Sequence, residues 1–391
     1  MYDAVVVGAG PVGSYVACGL AKQGHKVIVL ERRPAVGDAV CCTGIVSKEC
    51  FDRFPLPSGS VVAEASSCKL FSPSGKMLRL QKEGVQAYIV DRHAFDNDLA
   101  EMARDEGVEY LLSAKVDGLS LVDHRVRADV FWDGGVREVE GKVVILCNGF
   151  GSSLPRKLGL GQVGDFVLGA QAEVSVAGVD EAEVYFGQDI AAGFFAWLVP
   201  IEPGRALAGL LSRRSPGPRM KEFLSRLRDE GKVTSDEWEI RYGGIPLKPL
   251  PRTYGDRIVV VGDAAGQVKP TTGGGIYYGL LSADIAATTI HEAICAGDVT
   301  AGGLRGYEKG WKAVLARDLR IGYWSRRLYE RLSDNRIDHL FDVLESNNIH
   351  EALLQSPDFS FDWHGDSILG ALRQRPLRQA LWATAKSMLP F

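Results

Sequence analysis

The sequence predicts a mixed α/β protein, a Rossmann-like nucleotide-binding domain with an inserted antiparallel β-sheet substrate domain and a helical carboxy-terminal region. Three observations predict it. An apolar run, Ala4–Val7, leads straight into Gly8-Ala-Gly10-Pro-Val-Gly13 and then a helix-like stretch. A second glycine-rich corner, Gly262–Gly275, again stands between an apolar run and a helical stretch. Between the two corners, residues 160–254 read as short strands, and after Gly303 the spacing is almost wholly helical.

The first strand ends in glycines that allow a tight turn, close backbone approach to a pyrophosphate and close helix–strand packing. Ser14–Gln23 follows as a helix, then Lys26–Leu30 as a second strand ending in Glu31. The helix amino-terminus faces phosphates, and the acid bonds ribose hydroxyls. Glu31 favours an unphosphorylated ribose, hence FAD or NAD rather than NADP. The expected ligand groups are Gly8, Gly10, Pro11, Val12, Gly13 and Glu31, with Arg32 beside them.

Gly37–Lys48 reads as a loop of small residues and cysteine, and Asp91–Gly107 as a helix with Phe95, Leu99 and Met102 on one side. Tyr110–Val122, Arg125–Trp132 and Arg137–Leu146 read as strands, the last two joined at Asp133-Gly134-Gly135. Val167–Val176 and Glu181–Phe186 read as strands facing one another. Gly193–Pro200 and Arg205–Leu211 form another pair, turned at Glu202-Pro-Gly204. The strand Arg257–Val261 then enters the Gly262–Gly275 corner, which offers one carboxylate and several bare N–H groups to a ligand. Helices are expected over Tyr307–Leu332, Asp338–Glu345, Ser367–Arg373 and Leu377–Met388. The domain division expected is residues 1–60, 88–160 and 255–300 for the nucleotide, 61–87 and 161–254 for substrate, and 301–391 as helical region.

The 391 residues suffice for a large core. Hydrophobic content of 46%, charged content of 24% and a mean hydropathy of -0.02 describe a soluble globular chain. A net charge of -4 gives no reason to expect nucleic acid. No apolar run reaches the roughly 18 residues of a membrane span, and the sequence opens on its first strand, so a cytoplasmic protein is expected. Seven scattered cysteines point to thiols, and neither paired CxxC motifs nor histidine spacing suggest a metal.

Together, the amino-terminal fingerprint, the distant Gly262-Asp263 corner and the inserted sheet resemble flavoprotein monooxygenases of the p-hydroxybenzoate hydroxylase fold. That resemblance implies one FAD running through both corners. A third element of those proteins reads Asp-Gly, whereas this chain has Asn148-Gly149, which argues against aromatic hydroxylation.

Three segments resemble the geranylgeranyl reductases of that superfamily, which saturate polyprenyl double bonds with FAD. Pro270-Thr-Thr-Gly-Gly-Gly-Ile276 is similar to their flavin loop, and Val40-Cys41-Cys42-Thr43-Gly44 to their Cys-x-x-Gly loop. Phe195-Ala-Trp197-Leu-Val-Pro200 is similar to a substrate-cavity motif but departs from it at three positions, counting the Ala208-Gly209 that follows. The resemblance implies that Asp263 binds the ribityl chain and that Gly275 and Ile276 offer N–H groups to the flavin, with Pro270 and Gly274 in the same loop. It implies Cys41, Cys42 and Gly44 beside the flavin, Arg92 touching FAD, and the Val116 backbone holding the adenine. Cys41 and Trp197 are the candidate catalytic residues, and Phe195, Trp197 and Pro200 the candidate cavity wall. The expected substrate is an apolar isoprenoid or prenyl lipid, reduced with electrons from NADPH or a carrier such as ferredoxin.

Two other readings stand beside this one. A monooxygenase or halogenase would use oxygen, and halogenation needs a placed lysine, for which Lys69, Lys76, Lys82 and Lys269 are candidates. A sensory flavoprotein would bind FAD and lipid without turnover. Gln374–Phe391 sets Arg375, Arg378 and Lys386 beside Leu377, Leu381, Trp382, Met388 and Leu389. Such a helix lies on a membrane surface or covers the substrate domain.

Overall fold

A computed structural model describes residues 1–38, 40–356 and 359–386, with side chains described up to residue 380. Met388 and Leu389 of the basic tail therefore lie outside the described residues.

Parallel strands Ile258–Val260, Gly135–Leu146, Tyr2–Val7, Val27–Leu30 and Glu109–Leu111 lie side by side in that order. Their apolar runs are continuous because both faces are covered. Val6, Val29, Ile145 and Val259 face the helices Pro11–Lys22 and Ile276–Cys295. Val5, Ile28, Val144 and Val260 instead face Val126, Ala128 and Val130 of an antiparallel meander. The meander's hairpin turns through Asp133 and Gly134, both with positive φ, as a two-residue Asp-Gly turn requires.

A second sheet has seven strands, ordered Arg241–Pro246, Phe166–Ser175, Arg205–Ser212, Ala196–Glu202, Ala182–Tyr185, Ser67–Phe71 and Met77–Gln81. It is mixed, since Ala182–Tyr185 runs parallel to Ser67–Phe71. A three-stranded sheet joins Ile45–Ser47, Ala87–Val90 and Val61–Ala65. The carboxy-terminal helices include Ala301–Tyr329, Asp334–Ser346, His364–Arg373 and Arg375–Lys386.

Four sequence expectations need correction. Tyr110–Val122 is two strands, broken where Ser113 adopts positive φ and the chain leaves the parallel edge for the meander. Phe166–Ser175 and Ala182–Tyr185 do not pair, because Arg205–Ser212 and Ala196–Glu202 lie between them. Alternation reports which face is buried, not which strand is the neighbour. The 160–254 region also contains a helix, Pro216–Asp229, whose Met220, Phe223, Leu224 and Leu227 cover the second sheet. A further short helix, Ile349–Leu354, stands where the spacing predicts no element. Among the described residues, no helix is long and apolar enough to cross a membrane.

Candidate functional site

One cavity of about 1160 Å3 runs between the two sheets and reaches both glycine corners. At the first corner, Gly8 has φ +104, and a Cβ there would lie 2.6 Å from the Cys147 carbonyl. A Cβ on Gly13 would lie 1.9 Å from the Gly8 carbonyl, so Gly13 lets the helix close onto the strand. Gly10 differs: a Cβ there would meet nothing within 4 Å, because it faces the cavity. The helix Pro11–Lys22 opens with no side-chain cap, leaving amino-terminal N–H groups for a ligand. Glu31 Oε2 accepts from Ala9 N at 2.8 Å and Oε1 from Arg33 N at 2.8 Å, which ties the acid to the turn. Arg32 and Val116 line the same end of the cavity.

At the second corner the helix Ile276–Cys295 also begins without a side-chain cap. The Asp263 carboxylate lies over Gly275, where a Cβ would come within 2.5 Å of its Oδ1. Burial pushes the Asp263 carboxyl up to about 6 despite the cation of Arg92. Arg92, at the start of the helix Arg92–Asp105, pairs with Asp96 through two 3.0 Å hydrogen bonds. Burial opposes its charge, but Asp96 and the neighbouring Cys42 hold its pKa above the ordinary arginine value.

The Cys41–Gly44 loop rests on the second sheet. Gln171 accepts from Thr43 Oγ1 at 2.9 Å and donates to Cys42 O at 3.2 Å. Cys41 Sγ donates to the Arg241 carbonyl at 3.6 Å, and burial pushes its thiol up to about 11. Across the cavity, Trp197 packs flat enough on its cross-strand neighbour Gly209 that a Cβ there would lie 2.3 Å from the ring. Phe195 shares its face, the ring centroids 5.9 Å apart, and both rings line the cavity.

Three expected site residues lie outside the wall. Gly13 acts beneath it, through packing. Pro270 backs the glycine loop from behind, where its carbonyl accepts from the buried Arg326 Nε at 3.3 Å. Pro200 sits where pairing with Ala182–Tyr185 has ended at Leu198, so its missing N–H costs no ladder bond. Of the lysines considered for halogenation, Lys69 pairs with Asp180 and Glu181, and Lys76 with Asp342. Lys82 and Lys269 reach the cavity.

Sequence reasoning missed Asp362 and His364, and it named Lys269 only as a halogenation candidate and Asn148 only as a departure from the Asp-Gly element. Lys269 and His364 line the cavity; Lys269 Nζ donates to Asp362 Oδ1 at 2.6 Å, and Thr271 hydrogen-bonds His364. Burial, with Lys269 beside it, pulls the His364 imidazole down to about 4, so it is neutral. Asn148 and Phe150 also line the cavity, and Asn148 Oδ1 and Trp197 Nε1 are buried without a hydrogen-bond partner. Among the described residues no group of three potential ligands could hold a metal.

These features fit FAD. Two uncapped helix amino-termini, an open Gly10, a solitary Asp263 and orphaned polar atoms suit a long ligand with a pyrophosphate and a heteroaromatic ring. Residues 3–156 match the family model described as FAD dependent oxidoreductase. Fold and site thus define an FAD-dependent oxidoreductase.

The chain is 34% identical, over 89% of its length and 93% of the relative's, to digeranylgeranylglycerophospholipid reductase 2 of Methanothermobacter thermautotrophicus. It is 32% identical to digeranylgeranylglycerophospholipid reductase of Methanocaldococcus jannaschii, over 88% and 90% of the two chains. A geranylgeranyl bacteriochlorophyll reductase-like structure from Thermoplasma acidophilum superposes with a TM-score of 0.85, 25% identity and 99% coverage of each chain. The chain belongs to the geranylgeranyl reductase family of FAD-dependent oxidoreductases.

Proposed function

We propose that this enzyme saturates C=C bonds in the polyprenyl chains of a glycerophospholipid. One observation carries the reading: the cavity that starts at the Gly8–Glu31 corner continues past Gly275 and Ile276 into an arm walled by Phe195, Trp197, Leu80 and Val184. A long apolar chain and a dinucleotide fit end to end in such a space.

Bound FAD, when reduced, supplies hydride to one alkene carbon and is left oxidised. A proton must reach the other carbon. Cys41 holds one at Sγ, since its raised pKa keeps the thiol neutral, and it packs at Gly243, two residues along the strand from the Ile245 that meets Gly273 of the glycine loop. Trp197 offers a ring face to positive charge developing on the alkene. Asp263 would accept from a hydroxyl of the cofactor, and the uncapped first N–H groups of the helix Ile276–Cys295 would hold its electron-rich edge. Phe195 and the surrounding apolar wall exclude water. Electrons enter from NADPH or a reduced carrier such as ferredoxin. The helix Arg375–Lys386 contributes peripheral membrane contact through Arg375 and Arg378, which are exposed while Leu377 is buried.

Anaerobic incubation of reduced enzyme with geranylgeranyl lipids, followed by mass spectrometry, tests the reading. Two-hydrogen increments are expected; products that form only with oxygen would reject it. Loss of liposome binding on deleting residues after Arg375 tests the membrane contact.

A further inference from the structure

The far end of the cavity opens where the three-stranded and seven-stranded sheets meet. Ser66 and Ser67 line one side of this mouth, Lys82 and Gln86 another, and Leu354 and Phe359 of the carboxy-terminal region the third. The turn carrying Lys82 is pinned by its N–H, which donates to Ser66 O at 3.1 Å.

Four lysines line the whole cavity. Three are committed: Lys115 pairs with Asp117 at 2.6 Å, Lys157 Nζ donates to Asp117 O at 3.0 Å, and Lys269 pairs with Asp362. Lys82 has no carboxylate partner among the described residues, and its neighbour Glu83 is exposed. The ammonium stands 4.8 Å from the centroid of the Phe359 ring, half-buried at the mouth. The arginines of the wall lie elsewhere, Arg32 and Arg33 beside Glu31 and Arg92 against Asp96.

An apolar channel ending in a cation that has no carboxylate partner among the described residues suits a ligand that is apolar along its length and anionic at one end. A plain hydrocarbon or alcohol would leave the ammonium with only the Phe359 ring beside it among the described residues, whereas phosphate oxygens would supply a charged acceptor, with the serine hydroxyls of the mouth as further donors. We propose that Lys82 is the head-group residue of the substrate arm, taking the phosphate of a prenyl lipid whose chain runs inward past Leu80 and Val184 to Phe195 and Trp197. The proposal rests on the prenyl-reductase reading and goes beyond it by naming the residue that reads substrate charge.

The FAD-loaded enzyme is titrated with digeranylgeranylglyceryl phosphate, geranylgeranyl diphosphate and uncharged geranylgeraniol, following the flavin absorbance change for binding and hydrogen uptake for turnover. For Lys82→Glu, binding of at least one phosphate lipid is expected to weaken about tenfold or more, with geranylgeraniol unchanged and Lys82→Arg close to wild type. The phosphate lipid that responds identifies whether the head group is a glycerophosphate or a diphosphate. Equal weakening for all three ligands, or for none, overturns the assignment. Because binding is read separately, wild-type enzyme that binds these lipids without reducing them would refute the reductase reading while still deciding the role of Lys82.

Discussion

Lys269 and Asp362, 93 residues apart, form a buried ion pair that fastens the carboxy-terminal region to the glycine loop of the cavity. The Tyr278 hydroxyl donates to the Asp362 carbonyl at 3.1 Å, while Trp363 Nε1 and the Tyr277 hydroxyl both donate to Glu49. Asp362 Oδ2 has no partner, so the pair is incompletely compensated. Removing one member leaves the other charged and buried, which typically costs about 3–5 kcal/mol. Lys269→Met or Asp362→Leu is therefore expected to lower unfolding free energy by that order. Lys269→Met combined with Asp362→Leu should recover much of the loss. Urea unfolding of the four proteins checks it; additive single losses would show that the two side chains do not act as a pair.

Gly10 and Gly13 separate ligand approach from packing. A methyl at Gly13 collides with the Gly8 carbonyl, whereas one at Gly10 meets only the cavity. Gly13→Ala should destabilise the protein by about 2 kcal/mol or more. Gly10→Ala should leave unfolding within about 0.5 kcal/mol, yet weaken FAD retention, since the added methyl occupies the approach to the helix amino-terminus. Flavin content after gel filtration, compared with the unfolding midpoint, distinguishes the two effects.

The contrast between these corners and Asp362 shows what the sequence could disclose. Gly8–Glu31 and Gly262–Ile276 are each a strand, turn and helix in unbroken order, so their local geometry is written in consecutive residues. Trp197 and Phe195 were legible as one face of a strand for the same reason. His364 reaches the cavity, and Asp362 reaches the cavity-lining Lys269, only through tertiary packing of the helix Ala301–Tyr329 and the shorter helices beyond it, and nothing near them in sequence marks a site. Gln171 was equally silent, because its contact with Cys42 and Thr43 depends on which strand lies beside Arg241–Pro246. The helix Pro216–Asp229 was legible in its Met220, Phe223, Leu224 and Leu227 spacing, but the strands around it masked the change of period.

Asp263 carries a pH signature. Its folded pKa, about 6, lies above the ordinary carboxyl value of 3.8, so the folded protein binds the extra proton more tightly than the unfolded chain does. Its contribution is fully present below about pH 4 and is lost as pH rises through about 6, by about 1–3 kcal/mol. In the cofactor-free protein, the stability of wild type relative to Asp263→Asn should therefore fall across that window and stay flat above it. Denaturant titrations at several pH values measure the difference; a flat difference from pH 4 to 7 would sink the assignment.

Trp197 owes its position to the absent side chain at Gly209. With a methyl there, the ring must leave the strand face, because the gap to Cζ2 would be 2.3 Å. Gly209→Ala is expected to change the fluorescence of Trp197 and to cut prenyl turnover about tenfold or more, in line with misplacement of a site group. Trp197→Phe keeps an apolar ring and should retain more activity than Trp197→Ala. Equal activity in all three variants would mean that the ring is only core.

Cys41 and Cys42 are neighbours with different surroundings. Cys41 Sγ faces the Arg241 carbonyl and Gly243 on the substrate sheet, whereas Cys42 Sγ accepts from the Gly44 N–H at 3.4 Å and lies beside Arg92. Burial keeps the Cys41 thiol protonated at physiological pH, so it carries a proton within the cavity, although the same burial makes it a weaker acid than an ordinary thiol. Cys41→Ser should therefore slow single-turnover alkene reduction about 100-fold while leaving FAD content unchanged. Cys42→Ser should act mainly on cofactor retention, since its sulfur packs at the loop turn. Rapid-mixing oxidation of the reduced flavin by substrate, set against flavin content, assigns the two roles. If both serine variants keep full single-turnover rates, the proton comes from another group or from water.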